Sequence, residues 1–166
     1  MTRAVLSIGS NLGDRLAHLQ SVLDALGPAV QAVSSVYRTA PWGGVEQAEF
    51  CNAVLVVEHP RRGPWDWLRA GQELEALAQR ERRVRWGPRS LDVDVLDCAG
   101  ERCSHPDLLL PHPRAHERAF VLVPWLEVDP DAVLVGHGRV KHLLGALPAG
   151  ELGGVHRCDG VALLRR

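Results

Sequence analysis

Two hydrophobic periodicities alternate along this chain, and their order constrains the fold more than any other feature. Ala4–Ile8 reads as a strand ending at Gly9-Ser10-Asn11. Leu12, Leu16, Leu19, Leu23 and Leu26 then recur at spacings of three and four, with Gly27-Pro28 as a stop, which predicts a helix. Val33–Tyr37 reads as a second strand, and Phe50–Glu58 (FCNAVLVVE) is the strongest strand signal. Between them Thr39–Gln47 (TAPWGGVEQ) carries a proline and paired glycines, so a long mobile loop is expected. Pro64 opens a helix with an apolar stripe of Trp67, Ala70/Gly71, Leu74 and Leu77/Ala78, which dissolves into the arginine-dense loop RERRVRWGPR, residues 80–89. Leu91–Asp97 alternates strictly and closes the series. The order β-α-β-β-α-β predicts an α+β domain with a ferredoxin-like core. Its antiparallel sheet should carry helices on both faces, in three α/β/α layers.

Downstream, Pro111 and Pro113 bracket the expected start of a helix through Ala119, Leu122, Val123 and Leu126. Val133–Val135 reads as a hairpin strand, Val140–Leu147 as a short helix and Val161–Leu164 as a closing strand. Without internal repeats or a low-complexity linker, one domain over residues 1–166 is expected.

Composition removes several function classes. Of nineteen Lys and Arg residues only Lys141 is a lysine, and neither GxxxxGK[ST] nor GxGxxG occurs. Any phosphate handled here must therefore be held by arginine, backbone amides and metal. A bias toward arginine codons explains the ratio, but it does not restore a P-loop. No run of eighteen apolar residues exists to span a membrane, and the N-terminus lacks an apolar export segment, so a cytoplasmic protein is expected. Cys51, Cys98, Cys103 and Cys158 form no CxxC pair and read as free thiols, though a Cys98–Cys103 bridge across a hairpin is conceivable. A net charge of −1 gives no global field for nucleic acid or membrane.

The chemistry concentrates in RWGPRSLDVDVL, residues 85–96. Strand alternation turns Leu91, Val93 and Val95 to the core and puts Asp92 and Asp94 on the other face. Their Cα atoms then lie about 6–7 Å apart, a spacing that can grip two Mg²⁺ ions whose shells phosphates and waters complete. An isolated Asp-x-Asp would more simply face water. Here Arg80, Arg82, Arg83, Arg85 and Arg89 crowd within a dozen residues, and a carboxylate pair plus a polyphosphate would relieve their repulsion. A solvated basic loop and a nucleic-acid patch are the alternatives. The second lacks interleaved aromatics beyond Trp86.

RWGPRSLDVDVL closely resembles the signature of the 6-hydroxymethyl-7,8-dihydropterin pyrophosphokinases. SIGSNLGDR, SSVYRTAPWG, the FCN strand, QELE and LLLPHPRAHERAF match the family in the same order, over nearly the whole chain. The resemblance implies transfer of a pyrophosphoryl group from ATP to 6-hydroxymethyl-7,8-dihydropterin, by in-line attack on the β-phosphorus with release of AMP. By the same resemblance Asp92 and Asp94 bind two Mg²⁺, and Arg89 assists transfer. Gln72, Glu75, Trp86, His112 and Arg118 lie on the ATP side. Thr39, Ala40, Trp42, Phe50, Asn52, Trp86 and Phe120 form the pterin pocket. Counting forward from Glu75 makes Arg80 and Arg82 the catalytic-loop arginines, whereas counting back from Trp86 points to Arg85. Pro113 stands where some members have an aromatic. A monomer is expected, and loops around 9–14, 39–47 and 80–89 are expected to close and exclude water.

Two other classes compete. His112 and His116 stand four apart, but HPRAHE is neither HExxH nor HxxEH, so a zinc hydrolase lacks its motif, and His116 reads as a helix-surface residue. A ferredoxin-like RNA-binding module would want aromatic strands, and Phe50 is alone in its strand.

Overall fold

The computed structural model describes residues 2–40, 48–79 and 90–166. From the N-terminus the elements are β1 (Thr2–Ser10), α1 (Arg15–Leu26), β2 (Val30–Val33), β3 (Tyr37–Thr39) and β4 (Phe50–His59). Then come α2 (Pro64–Gln79), β5 (Asp92–Cys98), β6 (Cys103–His105), β7 (Leu108–Leu110) and α3 (Ala119–Val128). The C-terminal part holds β8 (Val133–Leu134), β9 (Gly138–Arg139), α4 (Val140–Gly145), α5 (Ala149–Gly153) and β10 (Val155–Arg157). The main sheet runs β10-β3-β4-β1-β5, with β2 also on β4, and every pair is antiparallel. This is the ferredoxin-like order, with β4 and β1 as its inner strands.

Alternation along β1 divides the core in two. Ala4, Leu6 and Ile8 pack with Leu19, Val22, Leu23 and Leu26 of α1 and with Trp67 of α2. Val5 faces the other way, joining Leu122 and Trp125 of α3, and Val140. Helices thus cover both faces, in three layers. Asp14 caps α1 by accepting the Ala17 N–H at 3.0 Å. Gly27, at φ 53°, ends it where an L-residue would be strained. Leu16 and Leu77, expected in the apolar stripes, are instead exposed.

Three expectations differ from the observed elements, each through a bond that hydrophobic periodicity cannot register. The strand expected over 33–37 is instead the irregular link between β2 and β3, which it meets only at Val33 and Tyr37. Ser34 Oγ accepts the Val54 N–H at 2.9 Å, a bond a ladder carbonyl would otherwise take. Glu127 of α3 accepts from the Ser35 N–H and from the Tyr37 hydroxyl. Burial and that carboxylate push Tyr37 up to about 12, so it stays a donor. The closing strand is β10 rather than 161–164. There Gln20 serves the backbone, donating to Leu164 O at 2.7 Å and accepting the Leu164 N–H at 2.9 Å, while Leu163 is buried. The third helix starts at Ala119 rather than beside the prolines. Pro113 biases His112 away from helical backbone, and the His112 N–H donates to Leu96 O at 3.0 Å, along β5. A single 3₁₀ turn, Ala115–Glu117, follows. All four cysteines are free.

Candidate active site

Cross-strand register assembles one polar row on the α3 face of the sheet. Asp94 lies opposite Ser7, and Asp92 opposite Gly9. Gly9 in turn lies opposite Asn52, Asn52 opposite Tyr37, and Phe50 opposite Thr39. Residues paired across a ladder share a face, so one sheet presents two carboxylates at one end and an amide, a hydroxyl and an aromatic ring at the other.

A cavity of about 750 Å³ lies over this row. Its floor is Ser7, Gly9, Thr39, Ala40, Phe50, Asn52, Asp92 and Asp94. Its walls are Arg114, His116, Glu117, Arg118 and Phe120, with Leu143, Ala146, Leu147, Pro148 and Glu151 from the α4–α5 region. Asn52 is buried and donates from Nδ2 to Thr39 Oγ1 at 2.7 Å, which fixes the plane of its amide. A Cβ at Gly9 would lie 2.7 Å from Asn52 Oδ1, so only glycine admits the amide there. Gly9→Ala should therefore overpack the floor, costing about 1–3 kcal/mol. In a chain of this size that is a fall in melting temperature of roughly 2–12 °C. An unchanged thermal melt would show that Asn52 has room to move.

The opposite wall is held by side chains of α3 and its approach. The Arg118 guanidinium sits 5.5 Å over the Phe120 ring. Glu151 Oε1 accepts the Ala119 N–H at 3.2 Å, tying α5 to the start of α3. His116, on the 3₁₀ turn rather than a helix surface, stacks on His137 with ring centroids 4.2 Å apart. Burial pushes the His112 imidazole below its ordinary value; Asp94 opposes this, and Arg118 and Arg114 add to it. Its neutral form thus dominates at pH 7. With Nδ1 accepting the Arg114 N–H at 3.2 Å, the proton stays on Nε2.

Of the residues singled out from sequence, Thr39, Ala40, Phe50, Asn52, Asp92, Asp94, Arg118 and Phe120 line this one cavity. His112 is held beside β5 by its backbone, and Gln72 and Glu75 lie on α2, where Gln72 is exposed. Trp42, Arg80, Arg82, Trp86 and Arg89 fall outside the described residues. The tight segment at 9–14 is partly strand: Gly9 and Ser10 belong to β1, and Asn11 is buried, donating to Ala48 O at 3.4 Å. Sequence reasoning missed Ser7, Gly9, Arg114 and the α4–α5 wall. Ser7 and Gly9 had a signal, being alternate residues of a strand that must pair with the aspartate strand. Leu143, Ala146, Leu147 and Pro148 had none.

Residues 5–130 match the profile of the family described as 7,8-dihydro-6-hydroxymethylpterin-pyrophosphokinase (HPPK). The chain is 53% identical over 147 residues to the 2-amino-4-hydroxy-6-hydroxymethyldihydropteridine pyrophosphokinase of Mycobacterium tuberculosis, covering 83% of this chain and 78% of the relative. It is 51% identical to the Mycobacterium leprae enzyme of the same name, over 100% of this chain and 94% of that one. Against the Methylorubrum extorquens enzyme identity is 43%, over 90% and 97%. Among solved structures, Plasmodium falciparum HPPK-DHPS A437G with SDX-DHP superposes with a TM-score of 0.66 at 15% identity, which speaks to the fold alone. The match covers 87% of this chain but only 45% of that longer one. The chain belongs to the 7,8-dihydro-6-hydroxymethylpterin-pyrophosphokinase family.

Proposed function

We propose that this chain transfers the pyrophosphoryl group of ATP to 6-hydroxymethyl-7,8-dihydropterin in folate biosynthesis, giving AMP and the pterin pyrophosphate. The observation that carries the reading is the polar row itself. Two carboxylates suited to a cation-bound triphosphate share one cavity floor with an oriented amide and an aromatic ring suited to a pterin. Asn52 reads the polar edge of the pterin from an amide plane set by Thr39. Phe50 and Phe120 stack on its faces, Ala40 lines the same pocket, and Trp42 joins them by the family's motif position.

Asp92 and Asp94 offer hard oxygen donors at alternate positions on one strand face. That suits magnesium, which takes one or two carboxylates and fills its octahedron with phosphate oxygens and water. Bound there, two Mg²⁺ would neutralise and orient the triphosphate. Arg118 and His112 serve the triphosphate side, and Gln72 the adenosine side. Arg89, Arg80, Arg82 and Trp86 join them by the family's motif positions.

The reaction forms a bond from the hydroxymethyl oxygen to the β-phosphorus and breaks the bond from that phosphorus to the α,β-bridging oxygen, which leaves on AMP. The hydroxyl proton passes to solvent. Little covalent work falls to the protein beyond holding attacking and leaving oxygens in line and neutralising charge. His112, its Nδ1 turned to the Arg114 N–H, has Nε2 to offer as a hydrogen-bond donor to phosphate.

No described helix is long and apolar enough to cross a membrane. A cytoplasmic monomer is the proposed state, since both substrates are small and polar and one chain's cavity holds groups for each. The zinc alternative finds no support: among the described residues no group of three or more His, Cys, Asp or Glu is placed to hold a metal in a closed protein site. Incubation with ATP, Mg²⁺ and the hydroxymethylpterin, with AMP resolved from ADP, tests the proposal. AMP should form in step with the pterin pyrophosphate. ADP as the main product would overturn the reading.

A further inference from the structure

We infer that Glu75, seated through Gly71, is a positioning residue that sets the aspartate pair from behind, through the backbone of β5. The inference rests on the proposed role of Asp92 and Asp94 as cation ligands.

Among the described residues β5 has one strand neighbour in the sheet, β1. The backbone groups on its outer edge therefore need partners from elsewhere. The N–H of Val93, the residue between the two aspartates, donates to Glu75 Oε1 at 2.9 Å. A peptide unit is rigid and planar, so anchoring that N–H fixes the link between Asp92 and Val93. It restrains the Cα of Asp92 directly and that of Asp94 one residue on, through Val93. The same valine is gripped a second time. A Cβ on Gly71 would lie 2.9 Å from Val93 Cγ1 and 3.1 Å from its Cβ, so α2 comes this close only because residue 71 is glycine. Gly71 and Glu75 are one helical turn apart and share a face with Trp67, which is fully buried and anchors the helix.

The chemistry requires such a mount. Two like charges at alternate strand positions repel each other, and an edge strand held on one side only would let them drift apart before cation and triphosphate arrive. A carboxylate is a stronger acceptor for a backbone N–H than a neutral group, and here it reaches the strand's edge from the helix packed on the face opposite the ligands. Glu75 thus serves the aspartates through Val93, and Gly71 sets how far α2 stands from the strand. Supporting groups of this kind typically contribute a factor of about 10–100 in metal affinity.

The test uses the full chain and variants Glu75→Ala, Glu75→Gln, Gly71→Ala and Asp94→Asn. Three readouts are taken: Mn²⁺ affinity by electron paramagnetic resonance with a non-hydrolysable ATP analogue present, hydrogen exchange at the Val93 amide by NMR, and the thermal melt. Glu75→Ala should weaken Mn²⁺ binding at least about tenfold and speed exchange at Val93. Glu75→Gln keeps a carbonyl acceptor, so Val93 should stay protected and Mn²⁺ affinity should stay within about threefold of the parent. Gly71→Ala should weaken Mn²⁺ binding by pushing Val93 outward. If Glu75→Gln weakens Mn²⁺ binding as much as Glu75→Ala while Val93 stays protected, the charge matters rather than the strand bond, and the inference fails. Unchanged Mn²⁺ affinity in Glu75→Ala, with Asp94→Asn impaired, also overturns it while leaving the cation site standing. Unchanged affinity in Asp94→Asn overturns the cation site and the inference together. Should Glu75→Ala not fold, Glu75→Gln decides alone: Val93 protection and Mn²⁺ affinity kept together or lost together support the mount, and loss of either without the other removes it.

Discussion

Asp94→Asn should abolish turnover, by roughly a thousandfold or more, while the protein melts within a few degrees of the parent. Asp92→Asn should do the same. Asparagine keeps the shape of each side chain and removes one of the two negative charges on which the cation-bound triphosphate depends. Asp94 is exposed and Asp92 half-buried, and both lie on the cavity floor rather than in the core. The fold therefore loses no packing. Relief of repulsion between like charges on one strand face works, if anything, in its favour. Activity at saturating Mg²⁺, measured beside a thermal melt, separates the two effects. Parental activity in either variant would remove that aspartate from cation binding. Inactivity accompanied by a collapse of the melt would mean that the carboxylate is structural.

The aspartate pair was legible because strand alternation is rigid. Once Leu91, Val93 and Val95 are core residues, Asp92 and Asp94 have one face left to occupy, and the buried set bears this out. The same logic reaches Phe50 and Asn52, and the layered fold follows from it. What stayed illegible depends on bonds between residues distant in sequence. Gln20 binds the backbone of Leu164 and Glu127 binds Ser35 and Tyr37; neither pairing leaves a periodic trace. The irregular run from Pro111 to Arg118 was read as the start of a helix because its prolines sit where helices often begin. In fact its backbone bonds to the edge of β5 at His112 and otherwise closes short turns on itself. The cavity wall from α4 and α5 had no signal because Leu143 and Leu147 match a core stripe and a pocket lining equally well. Glu75 shows the converse: its side chain was noticed, but its partner is a backbone N–H across the helix–sheet interface.

Phe50→Ala and Phe120→Ala should each weaken hydroxymethylpterin binding markedly, and the second should also touch the nucleotide. The chain contains only these two phenylalanines, and both line the cavity half-buried, Phe120 also packing against the core beneath α3. An aromatic face contributes about 1–3 kcal/mol to stacking on a flat heterocycle. Each truncation should therefore raise the pterin Kd by roughly five- to 150-fold. Phe50 shares its strand face with Asn52, and Thr39, opposite Phe50, fixes the Asn52 amide. Losing the Phe50 ring should leave that amide in place and binding of a non-hydrolysable ATP analogue unchanged. Phe120 differs, because the Arg118 guanidinium rests 5.5 Å above its ring. A contact of this kind is worth about 0.5–1 kcal/mol at an exposed site. Freeing Arg118 should thus shift analogue affinity by only about two- to fivefold, in whichever direction its new position dictates. Calorimetric titration of each variant with pterin and with the analogue, beside a thermal melt, gives the comparison. A pocket residue loses pterin and keeps its melt; a core residue loses several degrees and weakens both ligands alike. Parallel losses for pterin and analogue in Phe50→Ala would move the pterin site away from Asn52, and the polar row on the sheet would then need another occupant.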